Sequence, residues 1–131
     1  MDAEPILETI AEYGCRFVVI GSTARRLLGE AAVPADLDII VGNAAADRPR
    51  LVDALIELRA TVGSSGRGTR LARTTSLPWE WGWRAMCPFG EIDVIARFVD
   101  GTSLDDFDAQ ATEVRLASGA TVRCTPTRHA P

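Results

Sequence analysis

The chain has 131 residues, 47% of them hydrophobic, and a formal net charge of −4. That is one ordinary domain (residues 1–131) with enough apolar material for a core, which argues against wholesale disorder and against non-specific binding to DNA backbones. All 14 basic residues are Arg and none is Lys, so Schiff-base chemistry and a P-loop lysine are excluded. Arg can still fork onto phosphates or carboxylates.

Ile6, Leu7, Ile10 and Tyr13 recur at helical spacing, with Glu8 and Glu12 opposite, and Gly14 ends that helix. Phe17-Val18-Val19-Ile20 is a continuous β-favouring apolar run, which predicts a buried strand over 16–20. Gly21-Ser22 follows, then a short helix from Thr23 to Leu28, stopped by Gly29. Leu37 to Val41 reads as a second strand. Asp47 as cap and Pro49 open a helix that turns Leu51, Leu55 and Leu58 inward.

Gly63-Ser64-Ser65-Gly66-Arg67-Gly68 has the composition of a solvated loop, and Arg70 to Thr75 is a candidate strand. Pro78 to Pro88 contains all three tryptophans; an extended chain there would put the three indoles on one face. Such a group more often closes a core than stacks a base. Ile92 to Phe98 is a third strand and Ser103 to Gln110 a short capped helix. Thr112 to Leu116 and Thr121 to Cys124 alternate across Gly119, a hairpin pattern. The expected class is α+β, α/β-like, with a central mixed sheet of about four to six strands flanked by helices.

Cys15, Cys87 and Cys124 are widely spaced and form no CxxC pair, so neither a zinc site nor a disulfide framework is expected. The acidic start lacks the signature of a signal peptide, and no apolar run approaches the ~20 residues that span a bilayer. A cytoplasmic setting without membrane contact is the expectation.

The chemistry concentrates in Asp36-Leu37-Asp38. Alternate residues of a strand share a face, so both carboxylates point one way, roughly 6.6 Å apart along the chain, while Leu37, Ile39 and Val41 point the other. Glu91-Ile92-Asp93-Val94-Ile95 repeats the arrangement. On neighbouring strands Asp93 would face the pair. Three close carboxylates repel, raising one another's pKa, and a hard divalent cation relieves that repulsion. The second DxD, Asp106-Phe107-Asp108, follows polar residues and reads as helix-start charge. Gly21-Ser22, between strand and helix, gives close backbone approach and helix-start N–H groups.

In this order the motifs resemble the nucleotidyltransferase (polymerase-beta-like) superfamily, particularly its small stand-alone bacterial members. The matching stretches are Gly21-Ser22-Thr23-Ala24 with the later Leu28-Gly29, Asp36-Leu37-Asp38-Ile39, and Gly90-Glu91-Ile92-Asp93-Val94-Ile95. The resemblance implies that Asp36 and Asp38 bind Mg²⁺ and that Asp93 completes the metal site or acts as base. Gly21 and Ser22 would hold the triphosphate of an NTP, whose nucleoside monophosphate passes to an acceptor (small molecule, RNA or protein) as pyrophosphate leaves. Without Lys, the phosphate-facing cations would be Arg25, Arg26, Arg67 or Arg70.

Glu91 is either an assistant to the metal or a strand-edge charge, and His129, in the tail, is given no catalytic part. Many relatives continue past the hairpin into a helix bearing Lys and acidic residues, whereas this sequence ends at Thr127-Arg128-His129-Ala130-Pro131. That difference motivates the alternative of a non-catalytic module with a protein partner, or a homodimer, as one half of a toxin-antitoxin-like pair. A purely structural domain with coincidental acids is the third possibility.

Overall fold

The structure is a computed structural model in which residues 1–63 and 68–126 are described. The expectations for Arg67 and His129 lie outside the described residues. Element order is α1 (Ala3–Glu12), β1 (Phe17–Ile20), α2 (Gly21–Leu27), β2 (Asp36–Val41), α3 (Asp47–Glu57), β3 (Thr61–Val62), β4 (Thr69–Arg70), β5 (Gly82–Cys87), β6 (Gly90–Ile95), α4 (Leu104–Asp108), β7 (Thr112–Arg115) and β8 (Thr121–Cys124).

The strands form one sheet in the order β4-β3-β5-β6-β2-β1-β8-β7. It is mixed: β2 runs parallel to β6 and β1 parallel to β8, while the other neighbours are antiparallel. Eight strands exceed the expected four to six. The excess comes from β5, hidden among Trp and Gly, and from the two-residue strand β3, too short for any periodic signal.

Alternation decides what each face does. Leu37, Ile39 and Val41 of β2 join Phe17 and Val19 of β1 and Ile92 and Val94 of β6 in the larger core. Ile6, Leu7 and Ile10 of α1 and Leu51 and Leu55 of α3 cover that side. On the opposite face Val18, Ile20 and Ile40 pack with Leu104 and Phe107 of α4. Ser103 and Asp106 close α4 with a reciprocal capping box, as its acidic start suggested. Asp108 does not belong to that start; it ends the helix and pairs with Arg16 and Arg123.

Several boundaries differ from the sequence expectation. Asp47 is not the cap of α3 but its first residue, and its carboxylate accepts the backbone N–H of Arg16 at 3.1 Å, tying α3 to the entry of β1. The strand expected over 70–75 stops at Arg70, because Ala72 and Thr75 exchange hydrogen bonds in a turn. The three indoles do not share a face: a turn at residues 79–81 breaks the extended run. Trp79 and Trp83 meet edge to face at 5.4 Å against the larger core, while Trp81 lies under the guanidinium of Arg97. Among the described residues no helix is long and apolar enough to cross a membrane.

Candidate functional site

The pairing register assembles the acids. Asp38 of β2 lies directly beside Asp93 of β6, and Asp36 beside Glu91. Directly paired residues share a face, so all four point away from the larger core. Asp36, Asp38 and Asp93 each offer one oxygen, and the three oxygens lie within 4.8 Å of one another. Asp38 is buried; Asp36 and Asp93 are half-buried. Oxygens opposed across a cation of Mg²⁺ size lie about 4.2 Å apart, twice a bond of ~2.1 Å. Small side-chain rotations therefore close this set on a hard divalent cation, and the all-carboxylate chemistry suits one.

Gly21 positions the buried member. It has φ of 70°, and a Cβ there would meet Asp38 Oδ2 at 2.7 Å. The glycine is needed first for the turn from β1 into α2 and for room beside the carboxylate. Thr23, which the sequence reading passed over, pins the same corner: its hydroxyl donates to the Asp36 carbonyl at 3.0 Å. Ser22 follows Gly21 in the first turn of α2.

The arginines sort differently from expectation. Arg25 pairs with Glu30 at 3.4 Å, and Arg26 donates to the carbonyl of Ala32 at 3.2 Å, both engaging the segment after α2. Arg70 lies in the same cross-sheet row as Asp36, through Thr61, Met86 and Glu91. Four strand spacings separate them, roughly 19 Å. Among the described residues, the cation beside the carboxylates is Arg84 of β5, directly beside Asp93. Its Nε donates to Asp93 Oδ1 at 2.7 Å, and its Nη1 lies 3.6 Å from Glu91 Oε1. The signal was present in the sequence: Trp83, Ala85 and Cys87 alternate with Arg84 and Met86, a strand pattern masked by reading the tryptophans as a unit.

Arg84 also changes the electrostatics. Burial pushes the Asp93 carboxyl up, but hydrogen bonding from Arg84 and within the cluster outweighs it, so Asp93 is held below the usual carboxylate range. The expected upward shift by mutual repulsion is reversed at this residue. Asp93 is thus ionised at neutral pH and able to ligate a cation.

Two cavities lie elsewhere. One of about 470 Å³ sits past the other ends of β2 and β6, lined by Val41, Arg48, Trp79, Ala96, Arg97 and Leu104 among others. Another of about 320 Å³ lies against Arg48, Val52, Arg73 and Trp79. Neither includes the carboxylates. The open carboxylate face is the candidate site, because there oxygens from two adjacent strands converge beside a glycine turn.

The chain is similar to the solved structure of ANT(2")-Ia, an aminoglycoside nucleotidyltransferase, in complex with adenylyl-2"-tobramycin. The TM-score is 0.59 at 19% identity, over 92% of this chain and 64% of that one. At that identity the likeness is one of fold, and the chain spans just under two thirds of its neighbour's length. No protein-family model matches the chain, and neither does any curated protein sequence.

Proposed function

We propose that the protein is a metal-dependent nucleotidyltransferase that moves a nucleoside monophosphate from an NTP to a hydroxyl-bearing acceptor. The observation that carries this is the convergence of oxygens from Asp36, Asp38 and Asp93 within 4.8 Å on the sheet face turned away from the larger core. The fold shared with ANT(2")-Ia supports it. Asp36, Asp38 and Asp93 would hold Mg²⁺, which when bound supplies positive charge against the phosphate oxygens. Gly21 keeps the Asp38 carboxylate in its seat, and Gly21 with Ser22 forms the triphosphate-facing turn.

In the transfer, a bond forms between the acceptor oxygen and the α-phosphorus. The bond from that phosphorus to the α–β bridging oxygen breaks, and pyrophosphate leaves with the electron pair. The acceptor's proton passes to an ionised carboxylate, and Asp93, on the strand beside the Asp36 and Asp38 pair, is the group placed to take it.

Calorimetry with Mg²⁺ and each of the four NTPs tests the proposal. The wild type binds at least one Mg²⁺–NTP pair, and Asp36→Asn combined with Asp38→Asn abolishes that heat. A wild type that binds none, or a double variant that binds equally well, overturns it.

A further inference from the structure

Resting on that proposal, we infer that Arg84 is a displaceable counter-ion. It neutralises the carboxylates while no metal is bound, and it moves to the triphosphate when metal and nucleotide arrive together.

Three observations lead there. The β5–β6 register fixes Arg84 beside Asp93, one strand further from β2, so the guanidinium meets the cluster from the β5 side. Its two contacts fall on Asp93 and Glu91, so it engages one of the three carboxylates that a cation would need. And it is not locked in place: the side chain is 61% exposed, against 18% for Asp93, on an open part of the sheet. A cation on Asp93 would face the guanidinium across one carboxylate, and like charges that close repel. The long Arg side chain can swing away, and the acceptor created in the same place by substrate is a phosphate oxygen. A guanidinium binds phosphate with charge-assisted, often paired, hydrogen bonds. In a chain without Lys this provides a phosphate-binding cation at the site.

The consequence is a pair of effects with opposite sign, which a merely structural ion pair would not produce. Without Arg84, the carboxylates should bind bare metal more tightly, because a competitor is gone. They should bind the metal–nucleotide pair more weakly, because a phosphate contact is gone. The test titrates wild type, Arg84→Met and Arg84→Lys with Mn²⁺ alone, then with Mg²⁺ plus the α,β-methylene analogues of the four NTPs, which cannot be cleaved at the transferred bond. Removing an exposed pair should tighten Mn²⁺ binding by about two- to fivefold. Losing a charged phosphate contact should weaken analogue binding by about tenfold or more. Arg84→Lys should fall between the two for the analogue. Circular dichroism and thermal melting of the metal-free variants confirm that each is folded. Mn²⁺ binding that is unchanged or weaker in Arg84→Met overturns the inference, as does analogue binding that is unchanged. If the wild type binds the analogue and Asp36→Asn with Asp38→Asn does not, such a result removes the role of Arg84 and leaves the nucleotidyl-transfer proposal standing. A wild type that binds no analogue removes both.

Discussion

The same two strands supply both ends of the outer sheet face, and the ends differ in kind. At one end Ile40 of β2 and Ile95 of β6 lie side by side with Val18, roofed by Leu104 and Phe107 of α4, and Ile20, paired with Asp38, packs into the same cluster. At the other end the same face of the same strands carries Asp36, Asp38, Glu91 and Asp93. Along β2 the face reads acid, acid, apolar, and along β6 it reads the same, in register. A short helix closes the apolar end, while at the acidic end Asp36, Glu91 and Asp93 stay partly exposed around the buried Asp38. Burial there would be costly for charges without compensating ligands, and the open end is where a cation and a phosphate can enter.

The two ends should therefore respond oppositely to truncation. Ile40→Ala, in the closed end, should cost about 3 kcal/mol of stability, since a fully buried side chain leaves a cavity under α4. Its Mn²⁺ affinity in the folded state should match the wild type; chemical denaturation and a metal titration check both halves. A loss of metal binding in the folded variant would mean that the two ends are not independent.

Asp38→Asn, at the open end, should instead stabilise the metal-free protein by about 1 kcal/mol, because it removes one charge from a crowded, partly buried cluster. Mg²⁺ should raise the melting temperature of the wild type, and the substitution should abolish that rise. A clearly destabilised metal-free variant would show that Asp38 is a structural anchor.

The smallest effect concerns the ion pairs that hold α4 over the closed end. Burial raises the Asp108 pKa, but hydrogen bonds from Arg123 and Arg16 outweigh it, and the net shift is downward. A folded pKa below the unfolded value of about 3.9 gives stability that is present above that value and lost as pH falls through the folded pKa. Asp108→Asn should therefore be slightly less stable than wild type at pH 7, with the difference disappearing below about pH 3.9. A difference that persists or grows in acid would contradict the assignment. Denaturation midpoints across pH 2 to 7 decide it.

Much of this division was legible in the sequence, for physical reasons. Phe17–Ile20 and Leu37–Val41 are apolar runs that only burial explains, and the period of two then fixes where Asp36 and Asp38 point. The pairing of Asp93 with Asp38 was stated only as a condition, because strand neighbourhood is a long-range property that no local pattern encodes. Arg84 was missed for a related reason. Its meaning comes from standing across from Asp93, and its strand was obscured by the tryptophans, whose chain turns at residues 79–81 instead of running extended. The strand β3 was invisible for lack of length: two residues carry no period. Arg25 and Arg26 were chosen by charge alone, and local partners, Glu30 and the Ala32 carbonyl, engage both.

The central claim is that Asp36, Asp38 and Asp93 form one divalent-cation site. Electron paramagnetic resonance of free Mn²⁺, titrated against the protein with and without an α,β-methylene NTP analogue, tests it most directly. The account predicts one Mn²⁺ site per chain in the wild type, tightened by the analogue and lost when Asp36 and Asp38 are both changed to Asn. A double variant that binds Mn²⁺ with the wild-type stoichiometry and affinity would contradict it.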